Sequence, residues 1–163
     1  MEVLNEKKQR PALLTVIGIL SFVGLGYRIL TGVINATLGT VTSSISPFLN
    51  DVFQNEADIS DAPEPIQKLI HGIFDAVTKL LANITGIYIT VVVLSIVALL
   101  GVIMMWQLKK GGFYLYAAAR VLIILVPFIF IGYNLISIIW FSSGLIFAAL
   151  FIILYGLNLK EMS

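Results

Sequence analysis

The sequence predicts an all-α integral membrane protein with four transmembrane helices, the first two extended outward as a helical hairpin. Three observations predict it. The 163-residue chain is 59% hydrophobic and 12% charged, with a mean hydropathy of +1.01, which is too apolar for an ordinary water-soluble domain. Four apolar runs, 12–33, 86–107, 113–133 and 135–156, supply the roughly 20 helical residues that cross a hydrocarbon core of about 30 Å. Between the first two runs, residues 34–85 keep helical periodicity on both sides of an acidic tip, 54–65, and form an extracytoplasmic hairpin within one membrane domain, 1–163.

Lys7, Lys8 and Arg10 precede Pro11, whose missing N–H suits the first turn of a helix. The first span is longer than a signal-peptide core and lacks a small-residue cleavage site, so it reads as a retained anchor. It leaves the far side near Thr31, which puts Arg28 close to the outer surface. There the ordinary role of an arginine is to snorkel to the headgroups, and a ligand or ion-pair site is the rival reading.

Beyond the surface, Ile34, Leu38, Val41, Ile45, Phe48 and Val52 follow at spacings of 4, 3, 4, 3 and 4, a heptad-like seam. Pro47 is expected to kink or break this helix. The carboxylates of the tip lack the spacing of a calcium loop and read as a solvated turn. On the return arm Ile66, Leu69, Ile70, Ile73, Phe74, Val77, Leu80, Leu81 and Ile84 form an apolar face opposite Gln67, Lys68, His71, Asp75 and Lys79.

If the hairpin turns at residue 58 or 59, facing residues have numbers summing to about 117. The small-residue rows Gly32, Ala36, Thr40, Ser44 and Ala82, Gly86, Thr90 then meet, with Gly32 opposite Thr85 and Ala36 opposite Leu81. Gly32, Ala36, Thr40, Ala82, Gly86, Ile70, Phe74 and Val77 are therefore the packing and partner candidates. Asn35 and Asn83 reach the same level, where an interhelical hydrogen bond suits them better than glycosylation of their N-x-T triplets.

The second span ends at Lys109, Lys110, Gly111 and Gly112, with the glycines stopping the helix and the lysines favouring its carbonyl end. Arg120 lies about 10 Å into the third span, within snorkelling reach of the inner surface; a buried partner is the rival role. Pro127 is expected to kink that span as a shape adjustment. Gly132, Tyr133 and Asn134 turn the chain into the fourth helix, where Ser142, Ser143, Gly144, Ala148 and Ala149 offer a packing patch.

Six basic residues flank the inner ends, Lys7, Lys8, Arg10, Lys109, Lys110 and Lys160, while the hairpin carries six acids beside Lys68 and Lys79. The positive-inside rule puts both termini in the cytoplasm. No cysteine is present, which removes disulfides and thiol chemistry. No Asp, Glu or His lies between Ile87 and Tyr155 or in the first span, so a proton-driven carrier is not expected. His71 alone builds no metal site, no nucleophile or phosphate-loop motif is present, and the scattered basic residues form no nucleic-acid patch. The expectation is a non-enzyme without cofactor or metal.

The stretches Arg10-Pro11-Ala12-Leu13-Leu14-Thr15-Val16, Ser21-Phe22-Val23-Gly24-Leu25-Gly26 and Trp106-Gln107-Leu108-Lys109-Lys110-Gly111-Gly112-Phe113-Tyr114-Leu115-Tyr116 resemble those of uncharacterised four-span bacterial membrane proteins of Bacteroidota type. The likeness covers about a quarter of the chain and implies a bacterial inner-membrane location without implying an activity. The residues themselves favour a non-enzymatic accessory or scaffold subunit that docks other membrane subunits through the hairpin and helix faces. The alternative is a small homo-oligomeric pore or a lipid- or solute-handling protein built around Arg28 and Arg120.

Overall fold

In the computed structural model, residues 12–56 and 63–162 are described. Four helices follow one another: α1 (Ala12–Glu56), α2 (Glu64–Trp106), α3 (Gly111–Phe130) and α4 (Leu135–Leu157), with a 3-10 turn at Leu159–Glu161 and no strand among the described residues. Each of the four is long and apolar enough to cross a membrane. At 1.5 Å per residue the 45 and 43 residues of α1 and α2 run about 67 and 64 Å. The 20 and 23 residues of α3 and α4 run about 30 and 35 Å, so the first pair extends well past the second. The middle of the acidic tip, 57–62, and the basic Lys7, Lys8 and Arg10 lie outside the described residues.

Glycine sets the packing of α1 on α2. A Cβ on Gly18 would stand 2.6 Å from the Trp106 ring, one on Gly32 2.5 Å from Val92, and one on Gly39 2.8 Å from both Ile84 and Thr85. Gly18, Leu25, Gly32 and Gly39 are buried and spaced by seven, and Trp106, Val92 and Thr85 answer them at multiples of the same interval. A seven-residue repeat on both arms is the signature of a left-handed supercoiled seam, here with the backbone of α1 drawn close beneath the larger side chains of α2.

This seam corrects the expected register. Gly18 with Trp106, Gly32 with Val92 and Gly39 with Thr85 all sum to 124. The slip from 117 is one heptad, about 10 Å along the axis, and it arises because α2 starts only at Glu64, behind Pro63. A heptad slip keeps the same faces together, so Gly32 stays in the seam while its partner changes from Thr85 to Val92. Asn35 and Asn83 fall out of step, and Asn83 donates its amide to the Lys79 carbonyl of its own helix instead.

The apolar, heptad-like row of α1 points outward. Ile34, Leu38, Val41, Ile45 and Phe48 are all exposed. On α2, by contrast, Ala76 is buried and Ile70, Phe74 and Val77 are half-buried. Pro47 does not break α1, which runs through it to Glu56. Its ring is exposed, so the carbonyl it leaves unpaired one turn earlier lies on the open side, where the missing bond is least costly.

The turn between α2 and α3 also differs from expectation. Gly111 and Gly112 do not terminate α2; they open α3, and the left-handed position after α2 is taken by Leu108 at φ 62°. The glycine is needed elsewhere: a Cβ on Gly112 would lie 2.5 Å from the Gly101 carbonyl oxygen, and one on Gly101 2.8 Å from that of Gly112. Leu108 accepts the strained backbone while packing its side chain on a core that includes Leu14, Met105 and Tyr155. At the other end of α3, Gly132 (φ 86°) reverses the chain, and Asn134 caps α4 by accepting from the Ser137 amide at 3.0 Å. Pro127 sits buried within α3, which continues through it.

The register has a direct check. Cysteines at Gly39 and Thr85 are expected to cross-link on oxidation, giving a shifted band on a non-reducing gel. Cysteines at Ala36 and Leu81, about 10 Å out of step, are expected to remain free.

Candidate functional site

α4 packs chiefly on α3 and meets α1 toward its own C-terminal end. There the Tyr155 hydroxyl donates to Ser21 Oγ at 2.9 Å, with both residues buried. Tyr155 also stands edge-on to Tyr116 of α3, ring centroids 5.2 Å apart. These three side chains tie α1, α3 and α4 together and form a floor.

Above that floor the three helices diverge around a cavity of about 590 Å³. Leu20, Ser21, Gly24, Leu25 and Arg28 line it from α1, Tyr116, Arg120, Ile123 and Ile124 from α3, and Ile136, Ile139, Trp140, Ser143, Gly144, Phe147 and Phe151 from α4. Its walls are thus apolar and aromatic, and its charges are two guanidiniums. The volume falls within the range of roughly 300–1,000 Å³ usual for ligand sites.

Both arginines that the sequence marked, Arg28 and Arg120, therefore belong to one site, although 91 residues separate them in the chain. Phe130, the last residue of α3, packs on Gly86, which the α1–α2 register sets level with Leu38. Arg28 is ten residues short of Leu38 and Arg120 ten short of Phe130, so each backbone lies about 15 Å from that end of α3. This moves Arg28 from its expected place near the outer boundary to the middle depth of the short helices. The sequence estimate ended the first span at Thr31; packing carries the level of the α3 terminus to Leu38.

Arg120 lies over the Tyr116 ring, with its guanidinium carbon 5.8 Å from the centroid. Its Nε is buried and makes no hydrogen bond. Both arginines line the same cavity. No carboxylate is available locally, since neither α1 up to Asn50 nor the stretch from Ile87 to Tyr155 contains an acid. The cavity thus carries two guanidiniums, one with an unpaired buried Nε, and no carboxylate among its lining residues.

The packing candidates distribute differently. Gly32 is buried in the seam; Ala36 is half-buried beside it; Thr40 is exposed, its hydroxyl donating to the Thr37 carbonyl at 2.7 Å. Ala82 is exposed, and Gly86 meets the Phe130 ring of α3 rather than α1. Of the small patch on α4, Ser143 and Gly144 line the cavity and Ala148 is buried. The signal for the cavity wall on α1 was Ser21, Gly24 and Arg28 at helical spacing, one face on which small and polar residues replace large apolar ones. Comparison with protein-family models, curated proteins and solved structures found no match.

Proposed function

We propose that this chain is a multi-pass protein of a bacterial inner membrane that binds an anionic, lipid-derived ligand between α1, α3 and α4, in a handling role without chemistry of its own. One observation carries this reading: Arg28 and Arg120 share a mostly apolar cavity that holds no counter-charge. At the centre of a bilayer an arginine costs roughly 2.5–3.5 kcal/mol on insertion scales, and two in one cavity cost more. A bound phosphate or carboxylate offsets that cost with bidentate, charge-assisted hydrogen bonds, while the aromatic and aliphatic walls suit an acyl chain. The bacterial location rests on the sequence resemblance, and the orientation, with termini inside and the α1–α2 extension outside, rests on the distribution of lysine and arginine.

The reading is tested by purifying the protein in mild detergent and quantifying the lipid retained. Wild-type protein is expected to hold an anionic lipid in stoichiometric amount and the double variant Arg28→Gln/Arg120→Gln to lose it. Equal retention by both would overturn the assignment.

A docking role has its own support in the exposed row Ile34, Leu38, Val41, Ile45 and Phe48, most of which lies beyond the end of α3. In that reading the protein is an accessory subunit. A stoichiometric partner recovered by pull-down and lost on substituting Leu38 and Phe48 with serine supports it.

A further inference from the structure

We infer that the gap between α1 and α4 is a lateral route along which the headgroup of an anionic phospholipid crosses from one leaflet to the other, a step that rests on the anionic-ligand reading above. A resident structural lipid needs its headgroup at the membrane surface. This cavity instead offers its charges about 15 Å from the end of α3, where a phosphate encounters the highest barrier of its passage. A site that stabilises the headgroup there lowers that barrier.

Two features make the site a path. It is open at the side: Leu20, Ile139 and Phe147 line it and are 56%, 59% and 61% exposed. Through such an opening a headgroup enters while its chains stay among the surrounding lipid. The polar lining is also graded along the axis. By helical rise Arg28 and Arg120 share one level about 15 Å from the end of α3, Tyr116 and Ser21 lie about 6 and 10 Å nearer the α2–α3 turn, and Ser143 is about 18 Å from Tyr155 on the other side. A headgroup on this face meets the two guanidiniums at mid-depth, between hydroxyl groups on either side. The floor marks the end near the α2–α3 turn, since Tyr116 follows Gly111 by five residues.

Gly24 gives the means of testing it. It lines the cavity, and a Cβ placed there meets nothing within 4 Å. Gly24→Trp therefore fills the route from open space, leaves both arginines in place and removes a glycine from a helix interior, which favours the fold.

The full chain is reconstituted in phosphatidylcholine vesicles containing phosphatidylglycerol and a trace of fluorescent, NBD-labelled phosphatidylglycerol, and dithionite is added outside. Wild-type protein is expected to expose the label of both leaflets, whereas protein-free vesicles keep the inner half. Gly24→Trp is expected to keep the inner half too, and Arg28→Gln/Arg120→Gln to slow crossing by more than about tenfold, since the loss of a single charge-assisted bond at the barrier already costs about that much and the variant loses both guanidiniums. Wild-type vesicles indistinguishable from protein-free ones, with anionic lipid still retained in detergent, would overturn the route and leave the binding site standing. Loss of retention as well would remove both. Crossing undiminished in Gly24→Trp, or uptake of inorganic phosphate without lipid crossing, would also overturn the route.

Discussion

Gly112→Val is expected to lower the stability of the bundle by about 3 kcal/mol or more, the largest effect of any single substitution considered. The reason lies in what the new atoms meet. Even the first of them, the Cβ, would stand 2.5 Å from the Gly101 carbonyl oxygen and 2.7 Å from the Met105 amide nitrogen and the Met104 Cβ. Two of those are backbone atoms, which cannot rotate aside, so α2 and α3 must separate along their contact. Separation loses dispersion contacts where burial from water supplies little drive between helices. It also disturbs Tyr116, whose backbone nitrogen and Cβ lie at the same crossing and whose ring forms the cavity floor. Thermal unfolding in a fixed detergent, together with lipid retention, measures both consequences. Gly111→Val is the control, since a Cβ there is no nearer than 3.5 Å to the Met104 side chain.

Arg120→Gln is expected to move stability in opposite directions with and without ligand. In delipidated protein it removes an uncompensated charge whose buried Nε is unsatisfied, so the variant is expected to gain about 1 kcal/mol after loss of the contact with Tyr116. Adding anionic lipid at 100 times its dissociation constant stabilises wild-type protein by about 2.7 kcal/mol through mass action, and the variant by far less. A purely structural arginine behaves otherwise: its removal destabilises the protein under both conditions. Melting curves with and without phosphatidylglycerol distinguish the two.

The number of helices was legible because four apolar runs separated by polar or glycine-bearing turns leave little choice. α4 runs Leu135–Leu157, and Asn134 caps it. The outward turn of the apolar row on α1 has a physical reason. Apolar residues mark the buried face only where water covers the other; against lipid they face either way, and close packing is marked by small residues. The informative repeat was Gly18, Gly32 and Gly39, whereas Ile34, Leu38 and Val41 turn outward. Arg28 and Arg120 were each recognisable as charges within apolar helical runs. Their convergence was not, because it depends on the rotation of two helices far apart in the chain, fixed by the Gly101–Gly112 crossing and by Tyr155 on Ser21.

The central claim is that both guanidiniums hold one anionic group, and it is measured most directly by solid-state NMR distance transfer between arginine nitrogen and lipid phosphorus in reconstituted protein. Only three arginines occur, so in an Arg10→Gln background the nitrogen label reports Arg28 and Arg120 alone. Both are expected to show phosphorus at about 4 Å, the separation of a charge-assisted guanidinium–phosphate contact. Absence of phosphorus transfer to either side chain, in vesicles rich in phosphatidylglycerol, would contradict it.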